Sequence, residues 1–215
     1  MTDDVKTAPG RPRLAARRVA RTEADLMDAA HDLFLEQGYV STTLAQVAQR
    51  AGLAPRTVYV RFGTKAALFE RVVDRALVGD TEPIDVAHRP GTIQAMTADT
   101  LQARIHALAD VCVGVAERAG PLFEVAAQAE AVEPEVAAAA SAGRRATRDL
   151  CAEFWRRAAE DELLPDHVDP ATLAVVTDLL VCADTTVHLR RTEQWSAAAH
   201  RALVVETLAA LARAR

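Results

Sequence analysis

Apolar residues recur every three or four positions along almost the whole chain, and no segment alternates apolar and polar residues over the length of a strand. The clearest run consists of Leu101, Ile105, Leu108, Cys112 and Val115. This period is that of an α-helix that buries one face. Alanine is abundant and only nine residues are aromatic, a composition that favours helices over sheets. We therefore expect an all-α protein.

Cysteine content and hydropathy indicate the compartment. Cys112, Cys151 and Cys182 are odd in number and far apart in the sequence, so neither a disulfide framework nor a cysteine-rich zinc module is expected. No secretory signal is recognisable, and the longest apolar run, 171–183, is interrupted by Asp178 and too short to span a membrane. These features predict a cytoplasmic protein with no membrane partner.

Charge is divided unequally along the chain. The formal net charge is −5, yet residues 1–79 carry a net charge of +3 and the remainder −8. A run without acidic residues near the N-terminus contains Arg11, Arg13, Arg17, Arg18 and Arg21. We expect residues 1–21 to form a flexible basic arm that contacts phosphate. A tail kept soluble by its charge is the alternative.

Capping residues and glycines divide residues 22–79 into short helices. Thr22 is the predicted N-cap of the first helix and Gly38 its end. Thr64 is the predicted N-cap of the last of them. Apolar residues of the first helix form a single stripe, made of Leu26, Ala29, Ala30, Leu33 and Phe34.

Two of these helices are very short and adjacent. Thr43, with Gln46 three residues later, forms a capping box that opens the first of the pair, and Gly52 ends it. Pro55 stands in the first turn of the second, which covers residues 55–61. Two short helices joined by a turn that contains glycine are typical of a helix-turn-helix, whose second helix enters the DNA major groove.

The second short helix carries side chains suited to DNA. Val58 and Phe62 are expected to face the core, and Arg56 and Arg61 to project outward, where arginine pairs with guanine. Four further residues offer hydroxyl groups or helix N-termini to phosphates: Thr43, Thr57, Tyr59 and Lys65. The alternative is that these residues are only caps and solvated charges.

The segment TTLAQVAQRAGLAPRTVYVRFGTKAALF, residues 42–69, closely resembles the DNA-binding domain of the tetracycline-repressor (TetR) family. The resemblance extends over residues 22–79 and implies a three-helix domain that binds DNA. In that family the residues matching Thr43, Thr57, Tyr59 and Lys65 contact phosphates, and those matching Arg56 and Arg61 often read bases. Position 54 departs from the family pattern, because Ala54 replaces the serine or threonine that caps the recognition helix.

The same resemblance implies a helical domain over residues 80–215 that binds a small effector and dimerises through its last two helices. The residues themselves predict a linker over 79–91 and five helices. Their expected positions are 97–119, a short helix from Gly120-Pro121, 134–162, 170–191 and 194–213.

The helix expected over 170–191 is apolar on two faces. One face consists of Leu173, Val176, Leu180, Ala183 and Val187, and the other of Val175, Leu179, Cys182, Thr186 and Leu189. Together they are too wide for an ordinary surface helix. We expect a second copy of the chain to cover one of the two faces, assigned here to the first, together with Leu203, Leu208 and Leu211 of the final helix; the sequence itself leaves open which face meets the partner. A central helix in a larger monomeric bundle is the alternative.

Polar, aromatic and sulfur-bearing residues on inner faces are candidates for an effector pocket: His106, Cys112, Phe123, Phe154, Trp155 and Asp178. Each could equally be an ordinary core residue. His106 with Asp110 could suggest a metal, but no further ligands accompany them, so we expect no metal and no cofactor. Several arginines between 144 and 157 have acidic residues four positions away, as in the pairs Arg145–Asp149, Glu153–Arg157 and Arg157–Asp161, which predicts a ladder of surface ion pairs.

Three functions are compatible with these observations. The first is a homodimeric repressor that a small molecule releases from a palindromic operator. The second is a constitutive DNA binder whose C-terminal domain only dimerises or docks a protein. The third, a helical enzyme, lacks support, because the sequence contains no phosphate-binding glycine loop, nucleophile motif or metal-ligand pair.

Overall fold

Ten α-helices make up most of the secondary structure in residues 11–79 and 86–213, the parts of the chain that the computed structural model describes, with side chains from residue 16. They are α1 (Arg11–Ser41), α2 (Leu44–Arg50), α3 (Pro55–Phe62), α4 (Lys65–Val78), α5 (Pro90–Thr97), α6 (Leu101–Ala129), α7 (Pro134–Glu160), α8 (Pro170–Val181), α9 (Ala183–Arg191) and α10 (Ala197–Leu211). These ranges contain no strand, which confirms the all-α prediction. The chain divides into two compact units: the first extends to Val72 and the second begins at Val73, so the boundary lies inside α4. The boundary predicted at 79/80 stays a prediction.

The first helix begins earlier than expected. It starts at Arg11, so Thr22 lies inside α1 and is not its N-cap. The prediction of a flexible arm is wrong for residues 11–21, because arginine, alanine and leucine are strong helix formers and continue the helix toward the N-terminus. Residues 1–10 of the predicted arm lie outside the described ranges.

Gly38 breaks α1 near its end, as expected, with φ of 78° and ψ of 175°. The hydroxyl of the buried Thr42 donates a hydrogen bond to the Gly38 carbonyl at 2.8 Å. A left-handed φ of this size favours glycine. The break turns the chain so that α2 can start at Leu44.

Three aromatic rings organise the core of the first unit. Phe34 and Phe69 meet edge to face with ring centroids 4.9 Å apart, and Tyr39 meets Phe69 at 5.4 Å. Aliphatic residues from all four helices complete the core: Leu26, Val47, Val58, Leu68 and Val72. The four helices therefore share one interior, although α2 and α3 are each too short to be stable alone.

In the second unit, α6 continues through Gly120 and Pro121, where the sequence predicted a new helix. Proline removes one backbone hydrogen bond and strains the helix. The buried residues Ala119, Leu122 and Val125 on either side offset this cost by packing into the core. The linker predicted over 79–91 contains a 3-10 turn over Val86–His88 and the start of α5 at Pro90, so regular structure begins earlier than expected.

The helix predicted over 170–191 is two helices, α8 and α9, which differ in direction by 42°. Cys182 between them is extended, with ψ of 160°. The Thr185 hydroxyl donates to the Leu179 carbonyl at 2.5 Å and so satisfies a group that the interrupted helix leaves free. No single described helix is long and apolar enough to cross a membrane, and this bent pair passes such a test by length and composition alone.

Trp155 lies at the centre of the core of the second unit. Its ring is fully buried and meets Phe154 edge to face at 4.9 Å. The indole Nε1 donates to the Thr177 hydroxyl at 2.7 Å, and that hydroxyl donates to the Leu173 carbonyl at 2.7 Å. The hydrogen bonds connect α7 to α8 inside an otherwise apolar interior.

Candidate nucleic-acid interface

The capping box predicted at Thr43 is present. The Thr43 hydroxyl accepts a hydrogen bond from the Gln46 amide at 3.2 Å, and the Gln46 side chain accepts one from the Thr43 amide at 2.8 Å. The buried residues Leu44, Val47 and Ala48 fix the orientation of α2, as expected. Thr43 remains exposed, so its hydroxyl can also meet a phosphate oxygen.

The turn between α2 and α3 depends on Gly52. Its φ is 68°, a left-handed conformation. The amide of Leu53 donates to the Ala48 carbonyl at 2.8 Å, which ends α2 tightly. This turn sets the direction in which α3 leaves the domain.

Only Val58 of α3 is fully buried; Phe62 is half-buried. Arg56 and Val60, four residues apart, point away from Val58, since successive helical residues are separated by 100°. Val60 is 70% exposed and Tyr59 54% exposed, and Thr57 is half-buried. Val60 was not among the residues predicted to face DNA, although its position one turn after Arg56 places it at the centre of the outward face.

The two arginines of α3 differ in their surroundings. Arg61 Nη1 lies 3.8 Å from the Glu23 carboxylate of α1, which reduces the positive potential there. Arg56 is exposed, and the described residues provide no ion pair for it. Arg56 is therefore better placed than Arg61 to pair with a base.

Lys65, a predicted phosphate contact, is half-buried at the start of α4. Its ammonium donates to the Tyr39 carbonyl at 2.8 Å and lies 4.1 Å from the centre of the Tyr39 ring. The hydroxyl of Thr64 accepts from the Ala67 amide at 3.1 Å, which confirms the predicted cap of α4. Lys65 thus connects α4 to the end of α1 and contributes its charge at a helix N-terminus.

The remaining basic candidates, Arg17, Arg18 and Arg21, are exposed on α1. Arg50 at the end of α2 is held in an exposed, two-pronged ion pair with Glu36, at 2.7 and 2.9 Å. The same pairing keeps the pKa of Glu36 below its usual range. Arg50 is therefore a less available cation than the three arginines of α1.

The structure does not gather the six predicted effector residues into one cavity. Phe154 and Trp155 are fully buried in the core. Cys112 packs against that core, and burial raises the pKa of its thiol to about 12. Phe123 is half-buried, and His106 lies near Arg201, with 3.2 Å between Nδ1 and the guanidinium.

Asp178 is a mostly buried carboxylate, as the sequence suggested. Its Oδ2 lies 3.8 Å from Arg148, and its Oδ1 finds no hydrogen-bond partner among the described residues. Within the same residues, no group of three or more histidine, cysteine or acidic side chains is arranged to hold a metal.

The residues predicted for the dimer interface differ in how deeply the subunit itself buries them. Leu173 and Leu208 lie in the core of the subunit itself. Five are half-buried: Val176, Leu180, Ala183, Val187 and Leu203. Leu211 is 37% exposed, and the most exposed apolar residues of α8 are Val175 and Leu179, which belong to the other predicted face.

The predicted arginine ladder is present in part. Arg156 pairs with Glu153 and Glu160, and Arg157 pairs with Glu153. The other two predicted pairs have different partners: Asp161 binds the buried Arg104 at 2.5 Å, and Arg145 donates to Ser141, one turn earlier on α7. These charges brace the second unit and need no nucleic acid to account for them.

Comparisons with known proteins agree with this geometry. The family described as bacterial regulatory proteins, tetR family, matches residues 26–72. TcmR, an HTH-type transcriptional regulator of Streptomyces glaucescens, is 32% identical over 99 residues, 45% of this chain and 43% of its own. BdcR, an HTH-type transcriptional repressor of Escherichia coli, is 33% identical over 84 residues, 39% of this chain and 40% of its own. The matches thus span less than half of these curated relatives.

Solved structures extend the likeness in fold to most of the chain. A putative TetR-family transcriptional regulator of Mesorhizobium loti has a TM-score of 0.70 at 20% identity, covering 90% of this chain and 96% of that one. A complex of SmeT, from Stenotrophomonas maltophilia, with triclosan has a TM-score of 0.69 at 22% identity, covering 88% and 90%. The helix-turn-helix segment is thus similar to the TetR family over residues 26–72, and the fold of most of the chain is similar to that of solved TetR-family structures.

Proposed function

We propose that the chain is a homodimeric, sequence-specific DNA-binding regulator, and that it represses transcription until a small molecule releases it from a palindromic operator. The main support for the proposal is the exposed face of α3. Val58 packs into the core, so Arg56 and Val60 on the opposite side of the helix face outward. The relatives named above are regulators and repressors rather than enzymes. A cytoplasmic location fits this function.

Each side chain of the interface has a distinct role in the proposal. Arg56 pairs with a guanine, and Arg61 supports it from the end of α3. Thr57 and Tyr59 on α3, together with Thr43 and Lys65 from the neighbouring helix starts, contact phosphates. Arg17, Arg18 and Arg21 add positive charge from α1. Phosphate contacts fix the register, and the α3 face specifies the sequence.

Selection of bound fragments from a random pool of double-stranded DNA tests the function directly. We expect the full chain to enrich a palindrome whose half-sites lie about 34 Å apart or somewhat more. A pool that shows no enrichment even at low salt, where phosphate contacts are strongest, would refute the proposal.

Arg56→Ala is expected to relax the base preference at one position of each half-site, costing about 1–3 kcal/mol for the preferred base. Competition between the selected operator and single-base variants measures this. Arg50→Ala is a suitable control, because Arg50 is an exposed arginine of the same domain already paired with Glu36. If the Arg56→Ala protein keeps the base preference of the parent, Arg56 does not contact a base.

Lys65→Ala is expected to weaken binding to every DNA sequence alike and to lower the slope of log K against log salt by about one. The variant also loses the hydrogen bond to Tyr39, so the domain should lose about 1 kcal/mol of stability. Salt titrations on operator and unrelated DNA separate the two effects. A loss confined to one base pair would contradict the phosphate role.

The dimer interface is assigned to apolar residues that the subunit leaves exposed on α8 and α10, Val175, Leu179 and Leu211. They are joined by half-buried neighbours from the predicted face, Val176, Leu180, Ala183, Val187 and Leu203. Exposed aliphatic side chains on two helices are suited to a twofold bundle of four helices.

The proposal that a small molecule releases the protein from DNA is supported by the similarity of its fold to a structure that contains a small molecule. The SmeT structure is a complex with triclosan, so a protein with this fold binds a small molecule. The alternative, a constitutive DNA binder, is favoured by the tight packing of Phe154 and Trp155 where a pocket was predicted. A thermal shift that accompanies loss of DNA binding supports the effector, and its absence across a metabolite library supports the alternative.

A further inference from the structure

A cavity of about 590 Å³ lies in the second unit between the last turn of α4, the start of α5 and the middle of α6. Leu77, Val111 and Val115 form apolar parts of its wall, and Arg89, His106 and Arg118 supply polar groups. Of the predicted effector residues only His106 lines it. The volume is sufficient for a small organic molecule.

Arg118 connects the cavity to the end of α4. Its guanidinium donates to the carbonyls of Ala76 at 3.3 Å and of Leu77 at 3.0 Å. The last carbonyls of a helix lack partners within the helix, and a cation there also opposes the helix dipole. Arg118 therefore caps the C-terminus of α4 from a neighbouring helix.

Two glycines make room for this cap. A side chain at Gly79, where φ is +83°, would bring Cβ within 3.0 Å of Arg118 Nε. At Gly114, one turn before Arg118 on α6, Cβ would lie 3.3 Å from the guanidinium. The absence of a side chain at both glycines leaves room for the Arg118 guanidinium. The close backbone on both sides keeps the guanidinium in one position.

The charge of the described cavity wall favours an anion. Arg118 is a permanent cation whose described hydrogen bonds go to neutral carbonyls. Asp110 is the carboxylate among the described lining residues, and Arg201 from α10 already binds it. This pairing lowers the pKa of Asp110, so its charge persists but is compensated. A positive wall beside aliphatic surface suits an apolar molecule that carries a carboxylate.

We propose that this cavity is the effector site of the regulator and that its ligand is an apolar carboxylate bound by Arg118. The inference rests on the proposed function. A carboxylate accepts stronger, two-pronged hydrogen bonds from arginine than a neutral carbonyl does, so it competes with Ala76 and Leu77 for the guanidinium. The last turn of α4 loses its cap, while the first turns of the same helix hold Ala66, Leu68 and Phe69 in the core of the DNA-binding unit.

Ligand binding is tested on the full chain without DNA. The probes are hexanoate, decanoate and phenylacetate, each paired with its neutral primary amide, and binding is followed by thermal unfolding and calorimetry. At least one carboxylate should raise the Tm while its amide does not. Arg118→Gln should weaken that binding about tenfold or more. The matched control is Arg145→Gln, because Arg145 is an exposed arginine of α7 that bonds only locally to Ser141.

The connection to DNA is tested with the selected operator. The bound carboxylate should lower operator affinity about 5- to 150-fold in the parent chain, and this response should disappear in Arg118→Gln. Gly114→Ala, which crowds the guanidinium without removing it, should also reduce the response.

Three outcomes overturn the site: no carboxylate raises the Tm, acid and amide bind equally, or Arg118→Gln binds undiminished. If carboxylates bind through Arg118 but the chain selects no DNA, the site stands and the proposed function fails.

Discussion

Replacing Leu179 with glutamate is expected to leave the subunit folded but monomeric and to weaken operator binding about a hundredfold or more. Leu179 is 61% exposed on α8, so a charged side chain at this position is solvated in the isolated subunit. In the proposed dimer the same carboxylate would be buried against the partner, where an unpaired charge is costly. A monomer also loses the second half-site, which removes the gain from binding two linked sites at once.

Sedimentation measures the oligomeric state, and fluorescence anisotropy measures operator affinity. Val132→Glu is the matched control, because Val132 is 64% exposed in the connection after α6 and belongs to neither α8 nor α10. Leu180, from the face predicted by the sequence, is unsuitable for this test, since it packs against the core and its substitution would also unfold the subunit. A Leu179→Glu protein that still sediments as a dimer would exclude this part of α8 from the interface.

Trp155→Ala is expected to destabilise the second unit by about 3–5 kcal/mol. The substitution leaves a cavity at the centre of the core. It also removes the indole N–H from which the buried Thr177 hydroxyl accepts a hydrogen bond. The edge-to-face contact with Phe154 is lost as well. Since α7 and α8 meet at this point, the loss affects the part of the unit on which the proposed dimer face is built.

Denaturant unfolding followed by circular dichroism, at one fixed protein concentration because of the proposed dimer, measures the change. Trp195→Ala provides the matched control, the same chemical change at a side chain 40% exposed, and should cost less than about 1 kcal/mol. Trp155→Phe should fall between the two. Equal unfolding midpoints for the parent and Trp155→Ala would show that this core does not limit stability.

Local signals predicted the DNA-binding unit well. Thr43 with Gln46, Gly52, Pro55 and Thr64 each act through bonds that span only a few residues, so their effect can be derived without knowing the tertiary fold. The inward orientation of Val58 followed from helical period alone. The same reasoning placed Arg56 on the surface, where the structure has it.

Features that depend on distant residues were not predictable in this way. Pro121 looked like a helix start, and only the packing of Ala119 and Leu122 keeps α6 continuous there. The pairing of Asp161 with Arg104 likewise joins two groups that are far apart in the sequence. The cavity beside Arg118 depends on where α4 ends against α6, which no local pattern specifies.

The recognition helix has no side-chain cap, since Ala54 offers no hydroxyl, and it spans only eight residues. Such a segment is not stable in isolation, and Val58 is its one fully buried anchor. Its amide protons should therefore exchange with solvent faster than those of α4 in the free protein, reflecting transient local opening. Contact with a duplex should slow that exchange, so part of the affinity for DNA is spent on ordering the helix that reads it.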